Sequence, residues 1–261
     1  MIGQGKSNRI NLMGKWTVET VAGHPCDVFE PAQRNPNNYV VIYLHGVHLG
    51  SLDDKPNFMQ QFEQHGLVVV APRTQRSWWL NRICPEFDPK LTAEDHVLQN
   101  VLPFVCERFQ AEPPRIGLLG SSMGGQGALR FAYKYPDKFP VVAAISPAID
   151  FQKRMERPEE DEDPLFDMFE DPEAARQETA LLHIHPLNWP RNQFFCCDPT
   201  DYRWIDSADR LRMKLASLGV PFECDLETQA GGHGFGYYEA MAKTAVSYIV
   251  NSLNSERLRI V

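Results

Sequence analysis

Residues 115–125 read Arg115-Ile116-Gly117-Leu118-Leu119-Gly120-Ser121-Ser122-Met123-Gly124-Gly125. The apolar run Ile116 to Leu119 leads into a Gly-x-Ser-x-Gly pentapeptide, Gly120 to Gly124, and a helical pattern extends from Ser122 to Tyr135. Strand, sharp turn and helix in that order put the middle serine, Ser122, on a turn too tight for Cβ atoms at the two glycine positions. Such a turn pushes the hydroxyl out of the sheet, and the dipole of the following helix favours negative charge developing beside it. The competing reading is a glycine-rich turn that carries its serine by accident.

Working outward, short β-forming runs recur at Trp16 to Val21, Cys26 to Phe29, Tyr39 to Leu44, Leu67 to Ala71, Arg115 to Leu119, Val141 to Ile145, Gln193 to Cys197 and Phe222 to Thr228. From the third onward they alternate with helical patterns. Thr92 to Phe109 opens on a Thr-x-x-Asp capping signal and places Val97, Val101, Val105 and Phe109 on one face, with a bend expected at Pro103. Ile205 to Leu218 and Tyr237 to Leu253 carry the same period. Alternation of buried strands with helices predicts an α/β fold: a mostly parallel, doubly wound sheet flanked by helices, in a single domain over residues 1–261. In such sheets the chemistry sits in loops beyond the carboxyl ends of the strands.

The chain has 261 residues with 26 Lys+Arg against 34 Asp+Glu, a net charge of −8 that argues against a nucleic-acid partner. At this length a core forms without metal or disulfide support. The six cysteines show no CxxC spacing, which predicts reduced thiols in a cytoplasmic protein. The first eleven residues hold no apolar run of a secretory signal, and no segment approaches the length of a membrane span. Gly3-Gln4-Gly5-Lys6-Ser7 imitates a phosphate loop but has no strand before it, and it reads as a chain terminus. Glu156 to Asp171 holds nine acidic residues and one arginine, which equals the whole net charge. The insertion around residues 151–190 is therefore either a lid, with Phe166 and Phe169 as pocket walls, or a solvated acidic loop.

A serine hydroxyl needs a base, and the base needs a carboxylate to fix its tautomer. His233, in Gly231-Gly232-His233-Gly234-Phe235-Gly236 between the last strand and the last helix, is the candidate base. Asp198 and Asp201 both follow the penultimate strand, and either can face it. Asp201 is preferred because it lies further beyond the strand end, while Asp198 suits capping of the turn. Backbone N–H groups of Met123 and of Val47, the latter in Leu44-His45-Gly46-Val47, are candidate oxyanion donors, with His45 as a buried support. His48, Trp78 and Trp79 are candidate pocket residues; the tryptophans read equally well as stabilisers of a long loop. His183-Ile184-His185 reads as surface or packing, with no metal or cofactor expected.

Together, Leu44-His45-Gly46, Gly120-Ser121-Ser122-Met123-Gly124-Gly125, Asp198-Pro199-Thr200-Asp201 and Gly232-His233-Gly234-Phe235-Gly236-Tyr237 resemble the α/β-hydrolase superfamily, and within it the esterase D-like serine esterases. The resemblance runs from about Tyr39 to Leu253 and implies a Ser122, His233, Asp201 triad. The formylglutathione hydrolases of that group usually carry a Ser-Gly-Leu type segment where this chain has His45-Gly46-Val47, a departure that points from a thioester toward a carboxylic ester. A serine carboxylesterase working through an acyl-enzyme is the expectation. An acyltransferase or thioesterase with the same groups, or a binding protein that kept only the fold, are the alternatives.

Overall fold

The computed structural model describes residues 14–157 and 163–259. The Gly3 to Ser7 segment and residues 158–162 of the acidic run lie outside them. The described residues form one eight-stranded sheet in the order β1-β2-β4-β3-β5-β6-β7-β8. β1 (Lys15–Val21) and β2 (His24–Glu30) make an antiparallel hairpin through Ala22 and Gly23, both at positive φ, and β2 runs antiparallel to β4 (Val68–Pro72). Two central residues with positive φ give the tight turn whose twist matches that of the flanking strands. β3 (Val40–Leu44), β4, β5 (Ile116–Ser121), β6 (Val141–Ile145), β7 (Asn192–Cys196) and β8 (Glu223–Asp225) pair in parallel.

Parallel neighbours need crossovers, and helices supply them. α1 (Pro56–His65) links β3 to β4; α2 (Ala93–His96), a π-helical turn at Val97–Val101 and α3 (Leu102–Phe109) precede β5. α4 (Met123–Lys134) leads to β6, and the short α5 (Leu165–Met168) and α6 (Pro172–Arg176) lie in the insertion before β7. α7 (Ile205–Leu218) precedes β8, and α8 (Phe235–Arg257) follows it. The strand period divides the core in two. Val40, Ile42 and Leu44 belong to the core that also holds buried side chains of α3, α4 and α7, whereas Val41 and Tyr43 belong to the one with Phe58 and Phe62 of α1 and Ile249 of α8. Each fully buried aliphatic side chain contributes about 1.5–3 kcal/mol, so the five wholly buried residues of β3 tie the helices of both faces to the sheet.

The doubly wound, mostly parallel α/β arrangement is the one the sequence predicts, and two elements differ in detail. Residues 92–109 do not form one bent helix. The Thr92 side chain caps its start by accepting from Asp95 N–H, but the chain widens into the π-helical turn before Pro103. Proline lacks the N–H for the regular bond, and its ring collides with the carbonyl four residues back; a wider turn relieves both. β8 is shorter than Phe222 to Thr228, because the Asp225 carboxylate accepts from the N–H groups of Glu227 and Thr228 and turns the chain out of the ladder.

β5 and α4 meet at the glycine-rich turn with almost no clearance. A Cβ on Gly124 would stand 1.8 Å from the Leu44 carbonyl oxygen and 2.7 Å from that of His45, both backbone atoms that cannot swing away. Gly124→Ala should therefore destabilise the protein by about 3 kcal/mol or more, or prevent folding. Urea unfolding of the purified variant checks this, and stability like that of the parent would show that the turn can relax.

Candidate active site

Ser122 sits between β5 and α4 at φ 55°, ψ −119°, a conformation costly for a residue with a Cβ. The surroundings hold it there. Its N–H donates to Ile145 O of β6 at 3.0 Å, and its carbonyl accepts from Gln126 N–H at 3.1 Å and Ala148 N–H at 3.0 Å. Beneath it, Ser121 Oγ and Tyr43 OH share a buried hydrogen bond of 2.8 Å. Ser122 Oγ lies 2.9 Å from Nε2 of His233.

The imidazole is held from its far side by Asp201, whose Oδ2 is 2.7 Å from Nδ1. A carboxylate can only accept, so Nδ1 carries the proton and Nε2 turns its lone pair toward Ser122. Asp201 is 2% exposed and follows a tight turn in which its N–H donates to Asp198 O. Its Oδ1 accepts from Arg203 N–H at 3.3 Å, and the Cys197 thiol points at Oδ2 from 3.7 Å. Asp201, rather than Asp198, thus reaches the imidazole.

Asp198 faces the same loop for a different purpose. Its Oδ1 accepts from Thr200 N–H and Oγ–H, both at 2.7 Å, as expected of a turn cap. Its Oδ2 accepts from the N–H groups of Ala230 at 2.7 Å and Gly232 at 2.9 Å, a tether to the histidine loop that the sequence did not reveal. Burial alone would raise the Asp198 pKa, but the hydrogen bonds from Thr200, Ala230 and Gly232 outweigh it and bring it down to about 2.

Val47 and Met123 flank Ser122 from two elements. Met123 opens α4, where a backbone N–H has no acceptor within the helix. Gly46 packs so closely that a Cβ there would stand 3.2 Å from Ser122 Cβ. His45 is buried; its Nε2 accepts from Thr74 N–H at 3.2 Å, so its Nδ1–H donates to Gly46 O at 3.0 Å. Burial lowers the His45 pKa to about 4, which keeps the ring neutral and this bonding pattern intact. Leu49 N–H also donates to Gly46 O. In a trans peptide the carbonyl of Gly46 and the N–H of Val47 point in opposite directions, so anchoring the one aims the other.

A cavity of about 570 Å³ opens onto Ser122 and His233, with Val47, His48, Trp78, Trp204, Arg154 and Arg203 among its walls. Three residues expected there stand elsewhere. Trp79 is fully buried beneath the site, its Nε1–H donating to His45 O at 3.1 Å and its ring filling the space beside Gly127. Phe169 turns inward against Phe151, with the Arg82 guanidinium over its ring. Phe166 is 40% exposed on the single turn of α5, whose Leu165 and Met168 take the inward positions. His183 packs near Glu178, and His185 Nδ1 accepts from Leu187 N–H. Arg154, Arg203 and Trp204 of the wall escaped the sequence reading, and so did Tyr238, whose OH lies 2.9 Å from His233 Nε2. Its signal was only its position, five residues past His233 in the first turn of the last helix.

The family model "Esterase: Putative esterase" matches residues 26–216. S-formylglutathione hydrolase of Mus musculus is 29% identical over 111 residues, a stretch covering 36% of this chain and 39% of the relative. The chain thus spans about two fifths of the length of that curated relative. Among solved structures, fluorophosphonate-binding serine hydrolase F of Staphylococcus aureus superposes with a TM-score of 0.68 at 18% identity, over 92% of this chain and 100% of the other. A ferulic acid esterase does so with a TM-score of 0.70 at 15% identity, over 92% and 99%. What these structures share with the chain is the α/β-hydrolase fold.

Removing the Asp198 carboxylate leaves two loop N–H groups without their acceptor. Asp198→Ala should cost about 1–3 kcal/mol near neutral pH. A pKa lowered from 3.8 to about 2 means that the carboxylate's contribution is complete above 3.8 and is lost as pH falls through about 2. The stability gap between parent and variant, followed by denaturant unfolding from neutral pH into acid, should close over that window; a gap independent of pH would contradict the tether.

Proposed function

The chain belongs to the esterase family whose model spans residues 26–216, and from that premise we propose that it is a serine hydrolase acting on carboxylic esters. The observation that carries this reading is the relay from Ser122 Oγ through His233 to Asp201, with successive contacts of 2.9 and 2.7 Å. Ser122 attacks the carbonyl carbon as its proton passes to Nε2. Asp201 fixes the tautomer and stabilises the imidazolium, and the N–H groups of Val47 and Met123 receive the oxyanion. Collapse expels the alcohol, which takes the proton from Nε2, and water then releases the acid by the same steps in reverse roles. No cofactor takes part. The strained backbone of Ser122 supports the reading, since such conformations persist where surroundings enforce them for use.

The six free thiols fit a reducing compartment, the cytoplasm, and no described helix is long and apolar enough to cross a membrane. A second reading comes from the mouse relative, an S-formylglutathione hydrolase, whose substrate is a thioester. The same relay would serve a thioester, with a thiol as the leaving group. Comparing kcat/KM for an acyl-glutathione and a short aryl ester separates the two readings.

Ser122→Ala should lower kcat by about four to six orders of magnitude on a short aryl ester and abolish labelling by a fluorophosphonate probe. Asp201→Asn should cost about four orders of magnitude with little change in fold. Because the imidazole must be neutral to act as base, the rate should also fall as the medium is acidified. Retained turnover in Ser122→Ala would sink the proposal.

A further inference from the structure

We propose that Tyr238 is a further catalytic residue, whose hydroxyl accepts the Nε2–H of His233 once Ser122 has given up its proton. The inference rests on the serine-hydrolase reading above. Tyr238 lies in the first turn of α8, its N–H donating to Gly234 O at 3.0 Å, and it is 5% exposed. Its ring stands at 89° to the imidazole with centroids 5.6 Å apart, and its hydroxyl lies 2.9 Å from Nε2. Ser122 Oγ is also 2.9 Å from that nitrogen. Burial pushes the phenol's ionisation upward, beyond the partial relief of a hydrogen bond to Ser122, so the group keeps its proton over the working range.

In the resting relay Asp201 accepts a hydrogen bond from Nδ1–H, and Nε2 offers one in-plane lone pair to two hydroxyls. Ser122 donates into it, and the Tyr238 hydroxyl stands at the same distance from that nitrogen. When Oγ bonds to the carbonyl carbon, the serine proton moves to Nε2 and the carbonyl π pair becomes the oxyanion. Nε2–H must then be held until the alcohol departs. Oγ has spent a lone pair on carbon and accepts more weakly, whereas the Tyr238 oxygen is already in reach and needs only to rotate its own O–H aside. No proton leaves Tyr238, so the balance of the step is that of serine and histidine alone.

Hydrogen bonds to an ionised group are roughly twice as strong as neutral ones, so this contact strengthens as the imidazolium forms. An interaction stronger in the transition state than in the ground state lowers the barrier, which uniform packing does not do. The other groups facing the ring are Asp201 at Nδ1, Trp204 at 6.4 Å between centroids, and Arg154, Arg203 and His48 in the cavity wall. Tyr43, Asp201 and Cys197 act on the phenol electrostatically. Tyr238→Phe removes one oxygen and leaves all of these in place.

The test compares the parent with Tyr238→Phe on p-nitrophenyl acetate over about pH 5 to pH 9, with thermal unfolding to certify the fold. The expected result is a loss of about tenfold in kcat/KM, carried by kcat, and an acid limb displaced by about half a pH unit to lower pH, because the charged imidazole has lost an acceptor. An unchanged rate and limb, or a limb moved to higher pH, overturns the inference. A measurement free of activity is the ¹⁵N NMR titration of His233 in Ser122→Ala with and without Tyr238→Phe. The midpoint should fall when the phenol oxygen is removed; an equal or higher midpoint counts against the role. Esterase activity surviving in Ser122→Ala overturns the underlying reading, whereas an inactive Ser122→Ala beside a Tyr238→Phe that matches the parent overturns only the present one.

Discussion

The close approach of α4 to the ends of β3 and β5 is the constraint on which the rest of the molecule depends. Gly124 has backbone carbonyls where a Cβ would be, and Gly120 presses on Gly124 in the same way, with 2.0 Å between an ideal Cβ and a carbonyl oxygen. A turn so tight leaves Ser122 no ordinary backbone conformation. Holding a non-glycine residue there costs about 1–3 kcal/mol, and the bonds to Ile145, Gln126 and Ala148 offset it. That contact also brings Leu44, His45 and Gly46 beside the serine. The proposed nucleophile and the loop proposed to bind the oxyanion are thus neighbours through one packing decision.

The strands were legible because buried parallel strands read as short uninterrupted apolar runs, and the elbow because two glycines around a serine between strand and helix have few other uses. The order of the sheet needed long-range pairing, which no local pattern carries. The side chains expected in the pocket show a further limit. Hydrophobicity says that Trp78, Trp79 and Phe169 will leave water, not on which side of a wall they come to rest. Trp78 and Trp79 both adopt positive φ, at 53° and 58°, a conformation that bulky residues seldom take and that sends one ring toward the cavity and the other beneath Ser122. Tyr238 was hidden for a similar reason: whether it meets the imidazole depends on the angle at which α8 leaves the histidine loop.

The acidic insertion is more than a solvated run of charge. Asp163 is buried, accepting from Trp78 Nε1–H and Leu165 N–H, both at 3.1 Å, and from Arg154 Nε–H at 2.6 Å. Trp78 also stacks on Phe151, with ring centroids 5.0 Å apart. A buried carboxylate is tolerated only when its charge is matched and its lone pairs are used, and here the partners are two walls of the cavity. The insertion is therefore fixed to the site through one of its own acids, even though Phe166 and Phe169 do not face the cavity.

Asp198 and Asp201 show how position divides one chemistry into two tasks. Both are carboxylates beyond β7, and the sequence offers each the same partner. The turn that closes when Asp201 N–H donates to Asp198 O aims the two side chains differently, one at the imidazole and the other at the backbone of the loop that carries it. A carboxylate with four N–H and O–H donors holds its charge firmly and serves best as an anchor. A carboxylate aimed at an imidazole that gains charge during reaction serves best as a counterion. Exchanging the two roles would require a different turn, since neither side chain spans both targets. The histidine is thus located by one aspartate and electrostatically supported by the other, with the distance between them set by three peptide bonds.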